Sequence, residues 1–130
     1  MKQYLIDTDV FIDFFKKKHE AVQLIKHLTT SGTIVISVIT VSELRSGWTE
    51  KEAIIYLPKL YDIVRVIPVT KEIAEQAGEY RQKYALQGKK LPTIDSLIAS
   101  TVLLNSFCLV TRNIRHYPMP ELDLYRETYL

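Results

Sequence analysis

The chain has 130 residues, 47% hydrophobic and 25% charged, with 4 Gly, 5 Pro and a net charge of +2. This size and mixture fit one globular domain over residues 1–130 and exclude collagen-like, low-complexity and disordered chains. A single cysteine forms no internal disulfide, the mild charge does not mark a nucleic-acid binder, and no apolar run reaches the ~20 residues of a membrane span.

Strand and helix patterns then alternate along the chain. Tyr4-Leu5-Ile6 reads as a short buried strand, reaching Asp7 too soon for a secretory signal, so a cytoplasmic protein without membrane contact is expected. Phe11, Phe14 and Phe15 share one face of a helix that stops near His19. Ala21, Leu24, Ile25 and Leu28 mark a second helix, ended by Gly32. The β-branched run Thr33 to Val38 predicts a strand, and Thr40 to Gly47 a short helix. Glu50 to Asp62 is helical with an interruption or bend at Pro58, and Val64 to Val69 is a strand whose Pro68 suits an edge or an end. Thr70 caps a long helix closing at Gly88. Thr93 to Asn105 is a helix apolar enough to be buried, and Phe107 to Thr111 is a fourth strand. Leu122-Asp123-Leu124 adds a short fifth strand at most. The predicted fold class is α/β: a mostly parallel central sheet of four to five strands with helices on both faces. Ligands of such sheets gather beyond the carboxyl ends of the strands.

Acids fall at those ends. Asp7 follows the first strand directly, with Thr8 and Asp9 after it, although all three also suit a helix cap. Glu43 lies one turn into the helix after the second strand. Thr40-Val41-Ser42-Glu43 has the capping-box pattern, so a structural role competes with a chemical one. Asp95 opens the buried helix and is the only charge between Leu91 and Phe107. Asn113 and His116 follow the fourth strand; turn chemistry accounts for Asn113, and a lone His116 is an ordinary packed or solvated residue. Three carboxylates at converging strand ends repel one another unless a hard divalent cation joins them, and Mg²⁺ or Mn²⁺ suits an all-oxygen set. Zinc spacing, a P-loop and a Gly-rich dinucleotide turn are absent from the sequence, which leaves metal-assisted phosphate chemistry.

Leu5 to Asp13, Ser37 to Leu44, Asp95 to Ala99 and Val110 to Asn113 resemble the four signature segments of PIN-domain nucleases. In order and length the chain resembles the VapC-type toxins of toxin–antitoxin pairs. The resemblance implies an endoribonuclease dependent on Mg²⁺, with Mn²⁺ as substitute. Water attacks the phosphodiester and leaves 5′-phosphate and 3′-hydroxyl ends. It further implies a homodimer neutralised by a cognate antitoxin. Asp7, Glu43 and Asp95 fall on the family's catalytic and metal-holding positions, directly or through water, with Asp9, Thr8, Thr111 and Asn113 in support. Asn113 stands where the family often has a fourth acid, which bears on the number of metals. Arg112, Lys89 and Lys90 are placed to contact RNA. Two other readings remain open on the residues alone. One is a catalytically degenerate PIN-like binding module. The other is a haloacid-dehalogenase-like phosphatase opening on Asp7-Thr8-Asp9-Val10, although no acidic pair follows its fourth strand.

Overall fold

The computed structural model describes residues 1–127, so positions 128–130 of the expected domain lie outside the described residues. In chain order the elements are β1 (Lys2–Ile6), α1 (Thr8–Phe15), α2 (His19–Ser31), β2 (Gly32–Ser37), α3 (Val38–Ser46), α4 (Glu50–Ile63) and β3 (Arg65–Ile67). They continue with α5 (Lys71–Ala85), α6 (Thr93–Asn105), β4 (Cys108–Val110) and a 3₁₀ turn (Ile114–His116).

The four strands form one sheet in the order β3-β2-β1-β4, every neighbouring pair parallel. Period-two alternation sorts the strand residues onto two faces. Tyr4, Ile6, Ile34, Ile36, Cys108 and Val110 face Val10 and Phe11 of α1, Leu24, Ile25 and Leu28 of α2, Leu44 of α3 and Leu60 of α4. Leu5, Val35 and Leu109 face the opposite layer, where Tyr84 of α5 meets Ile98, Ala99 and Val102 of α6. The expected sandwich of helices on both faces is thus formed. Each sheet face is apolar because each is covered.

Several boundaries differ from the sequence reading for physical reasons. Gly32 does not merely end α2; it opens β2 opposite Lys2, where a Cβ would lie 2.0 Å from the Lys2 carbonyl oxygen, so only glycine fits. Helix α4 continues through Pro58, which sits on its exposed side and lacks the amide that would bond the Ile54 carbonyl. Leu122-Asp123-Leu124 adds no fifth strand: Leu109 donates its amide to Asp123 and pairs with Leu124 in one isolated parallel bridge. Strand β3 lies at the edge, as Pro68 suggested. Trp48 and Tyr56 close an aromatic cluster on Phe15, with ring centroids 5.0 Å from it in both cases. Among the described residues no helix is long and apolar enough to cross a membrane.

Candidate active site

Parallel strands all end on one edge, and β1, β2 and β4 each deliver a polar side chain there: Asp7, Ser37 and Thr111. Asp7 leaves β1 with its amide still donating to the Val110 carbonyl at 2.9 Å, then caps α1 through its own carboxylate. Ser37 ends β2 and caps α3 by accepting the Ile39 amide at 3.1 Å. The helix therefore starts at Val38, two residues before the Thr40 start read from the sequence. This shift decides the role of Glu43. Thr40 is an interior helical residue and cannot cap, so Thr40 and Glu43, three apart, share a face turned to α1. The capping box forms instead between Thr49 and Glu52 on α4. Asp95 occupies the first turn of α6, whose Pro92 cap offers no side-chain acceptor.

The polar contacts join these ends. Thr8 donates its hydroxyl to Glu43 Oε1 at 2.5 Å, and Thr40 Oγ1 lies 3.1 Å from Thr8 Oγ1. A hydroxyl has one proton, so Thr8 gives its own to the carboxylate and accepts from Thr40. Asp7 Oδ1 accepts the Thr8 amide at 2.9 Å; its Oδ2 accepts Thr111 Oγ1 at 2.9 Å and Tyr117 OH at 2.8 Å. Asp9 Oδ2 accepts Asn113 Nδ2 at 2.7 Å and the Arg112 amide at 3.2 Å. Its Oδ1 is buried with no hydrogen-bond partner among the described residues. His116 Nδ1 lies 3.4 Å from Asp95 Oδ2.

Like charge and burial act together on these acids. Burial, then the charge of Asp7, pushes the Asp9 carboxyl up to about 6 against the pull of Arg112. Burial, Asp7 and Glu43 push Asp95 up, opposed by His116. Tyr117 is pushed up by burial and by Asp7, Asp95 and Asp9, so its phenol lies within the field of three acids.

The expected residues mostly converge. Asp7, Thr8, Glu43 and Thr111 are linked by hydrogen bonds, and Asp95 joins them through the shared field. Asn113 serves Asp9 as a donor. Arg112 is turned inward, 2.9 Å from buried Asp13 and 3.9 Å from Asp9. Lys89 and Lys90 are exposed after α5 and line, with Arg81, a cavity of about 450 Å³; no contact ties them to the acids. Sequence reasoning did not find Tyr117, Thr40 or Asp13, and it read His116 as ordinary.

A divalent cation fits this donor set. The side chains are hard carboxylate oxygens, which Mg²⁺ and Mn²⁺ prefer. The buried, unpartnered Oδ1 of Asp9 and the rise of Asp9 and Asp95, each from burial and then the charge of Asp7, mark a site where a cation would offset negative charge. Among the described residues no three His, Cys, Asp or Glu side chains are grouped so as to hold a metal ion by themselves.

Comparison with known proteins shows the family and the fold. The model of the PIN domain family matches residues 4–122. Ribonuclease VapC19 of Mycobacterium tuberculosis is 32% identical over 121 residues, covering 92% of this chain and 96% of the relative. Ribonuclease VapC10 of the same organism is 31% identical over 117 residues, covering 90% and 87%. The crystal structure of VapBC2 from Rickettsia felis, bound to a promoter DNA fragment, contains a similar chain. It superposes with a TM-score of 0.83 at 26% identity, covering 95% of this chain and 97% of that one. With a family match over nearly its whole length and relatives above 30% identity, this chain belongs to the PIN domain family.

Proposed function

We propose that this protein is a divalent-cation-dependent endoribonuclease, the toxin of a toxin–antitoxin pair. The observation that carries the reading is the convergence of Asp7, Glu43 and Asp95 from three different chain segments into one field at the carboxyl edge of the sheet. The ribonuclease names of its relatives and the toxin–antitoxin complexes among its structural neighbours support the same reading. Asp7 and Asp95 hold the cation, Mg²⁺ or Mn²⁺ in its place, directly or through water. When bound, such an ion lowers the pKa of a water and offsets charge on the phosphate oxygens. Glu43 orients and deprotonates the attacking water, with one carboxylate oxygen fixed by Thr8 and the other left to accept the proton. Asp9, Thr111 and Asn113 hold the strand ends in register, and Lys89 and Lys90 attract the RNA backbone. The partners are RNA, a cognate antitoxin and a second copy of the chain, in the cytoplasm.

The phosphatase alternative gains nothing from the fold, because α1 starts at Thr8 and leaves no room for a flap after the motif. The degenerate binding module is the reading to test against. Purified protein given a fluorogenic RNA and Mg²⁺ is expected to cleave it, with cleavage lost on chelation and in Asp95→Asn. Equal signal from wild type and Asp95→Asn would leave the binding module in place.

A further inference from the structure

Three donors hold Asp7, and they fall unevenly on its two oxygens. Oδ2 accepts from both Thr111 at 2.9 Å and Tyr117 at 2.8 Å, whereas Oδ1 accepts the Thr8 amide at 2.9 Å. An ionised carboxylate has about two acceptor directions per oxygen. Oδ2 is therefore full, and Oδ1 keeps one direction free. Tyr117 comes from the far end of the chain, 110 residues from Asp7, and is 3% exposed, with its ring packed among Leu109, Met119 and Leu122. A phenol keeps its proton at neutral pH, so Tyr117 is a donor to Oδ2.

We propose that Tyr117 is a positioning residue that sets which divalent cation this site accepts, by closing Oδ2 of Asp7 together with Thr111. The inference rests on the cation-dependent reading above. With Oδ2 closed, Asp7 offers a cation one oxygen in one direction. Mg²⁺ takes six ligands in a strict octahedron and is served by single carboxylate oxygens and waters; Mn²⁺ suits the same ligands. Ca²⁺ takes six to eight oxygens and gains from carboxylates that bind through both. A one-oxygen Asp7 therefore disfavours Ca²⁺. Tyr117→Phe removes only the hydroxyl, keeps the packed ring and frees one direction on Oδ2.

Cation binding itself is the test, read without RNA. Free Mn²⁺ is followed by electron paramagnetic resonance during titration of wild type, Tyr117→Phe and Thr111→Val, then displaced by Ca²⁺ and separately by Mg²⁺. In Tyr117→Phe the Kd for Ca²⁺ is expected to fall relative to that for Mn²⁺ by about fivefold, while the Mg²⁺ to Mn²⁺ ratio holds. Thr111→Val frees the same oxygen by another route and is expected to move the ratio in the same direction; it decides the matter if Tyr117→Phe does not fold. A merely structural role would weaken all three cations alike, and that outcome overturns the proposal. A wild type that binds Mn²⁺ with a ratio unmoved by either substitution overturns this inference alone. A wild type that binds no Mn²⁺ overturns the cation-dependent reading and this inference with it.

Discussion

Glu43 reaches the cleft because Ser37, not Thr40, begins its helix. Freed from the capping box, its carboxylate is bonded to Thr8 across 35 residues of sequence. Glu43→Gln keeps size and helix propensity, so RNA cleavage is expected to fall about 100-fold or more while thermal stability stays nearly unchanged. A loss of stability with cleavage intact would return Glu43 to a structural role. Asp9 and Asp95 supply a second prediction. Both carboxyls are raised in the folded state, by burial first and Asp7 second, so the native protein binds protons that the unfolded chain has released. Stability is then lost as pH rises from about 4 towards about 6, the window set by Asp9. Asp95→Asn relieves part of this repulsion and is expected to raise the melting temperature by about 3 °C at pH 7, with less gain at pH 5, while abolishing cleavage. A lower melting temperature at pH 7 would show that the acids do not repel. Asp7 and Asp95 were legible in the sequence because each is an acid beside an apolar run. Tyr117 was not, because its role exists only where the turn after β4 folds back on β1.

At the scale of elements, the carboxyl edge is fastened by contacts between α1 and the turn after β4. Asp13 on α1 is 4% exposed, and Arg112 on the turn reaches it at 2.9 Å, with Lys18 at 3.4 Å. Arg112 was read as an RNA contact; the structure gives its guanidinium a partner inside the protein. Arg112→Ala leaves a buried carboxylate short of its closest cation, and urea unfolding is expected to show a loss of about 2 kcal/mol. A change below about 0.5 kcal/mol would mean that the residue serves the surface instead. The order and type of the four strands and six helices were legible, because period-two strands and period-three-to-four helices differ in which residues they bury. Helix α6 keeps the bounds Thr93–Asn105 read from the sequence, since a proline precedes it and its apolar run ends at Asn105. Boundaries slipped where two residues competed for one cap, Ser37 against Thr40. The fifth strand shrank to a single bridge: among the described residues its backbone bonds to β4 are those of Asp123 and Tyr125 with Leu109.

The whole molecule places acids at one edge of the sheet and leaves basic residues on its surface. Lys89 and Lys90 stand exposed between α5 and the N-terminal end of the helix that carries Asp95, the side from which the proposed function would bring RNA. Ile54 and Ile55 of α4 are 70% and 60% exposed, whereas Trp48 and Tyr56, equally apolar in the sequence, are used within the domain. This partition was not legible from residue type, since burial depends on which face of α4 meets Phe15. The central claim is that this arrangement cuts RNA with a cation's help. It is tested most directly by mapping RNA ends at nucleotide resolution after incubating total RNA with the purified protein and Mg²⁺ or Mn²⁺, beside Asp95→Asn. The account predicts discrete new 5′-phosphate ends that vanish with chelator and in the variant. Identical end maps from wild type and Asp95→Asn, in protein free of bound antitoxin, would contradict it.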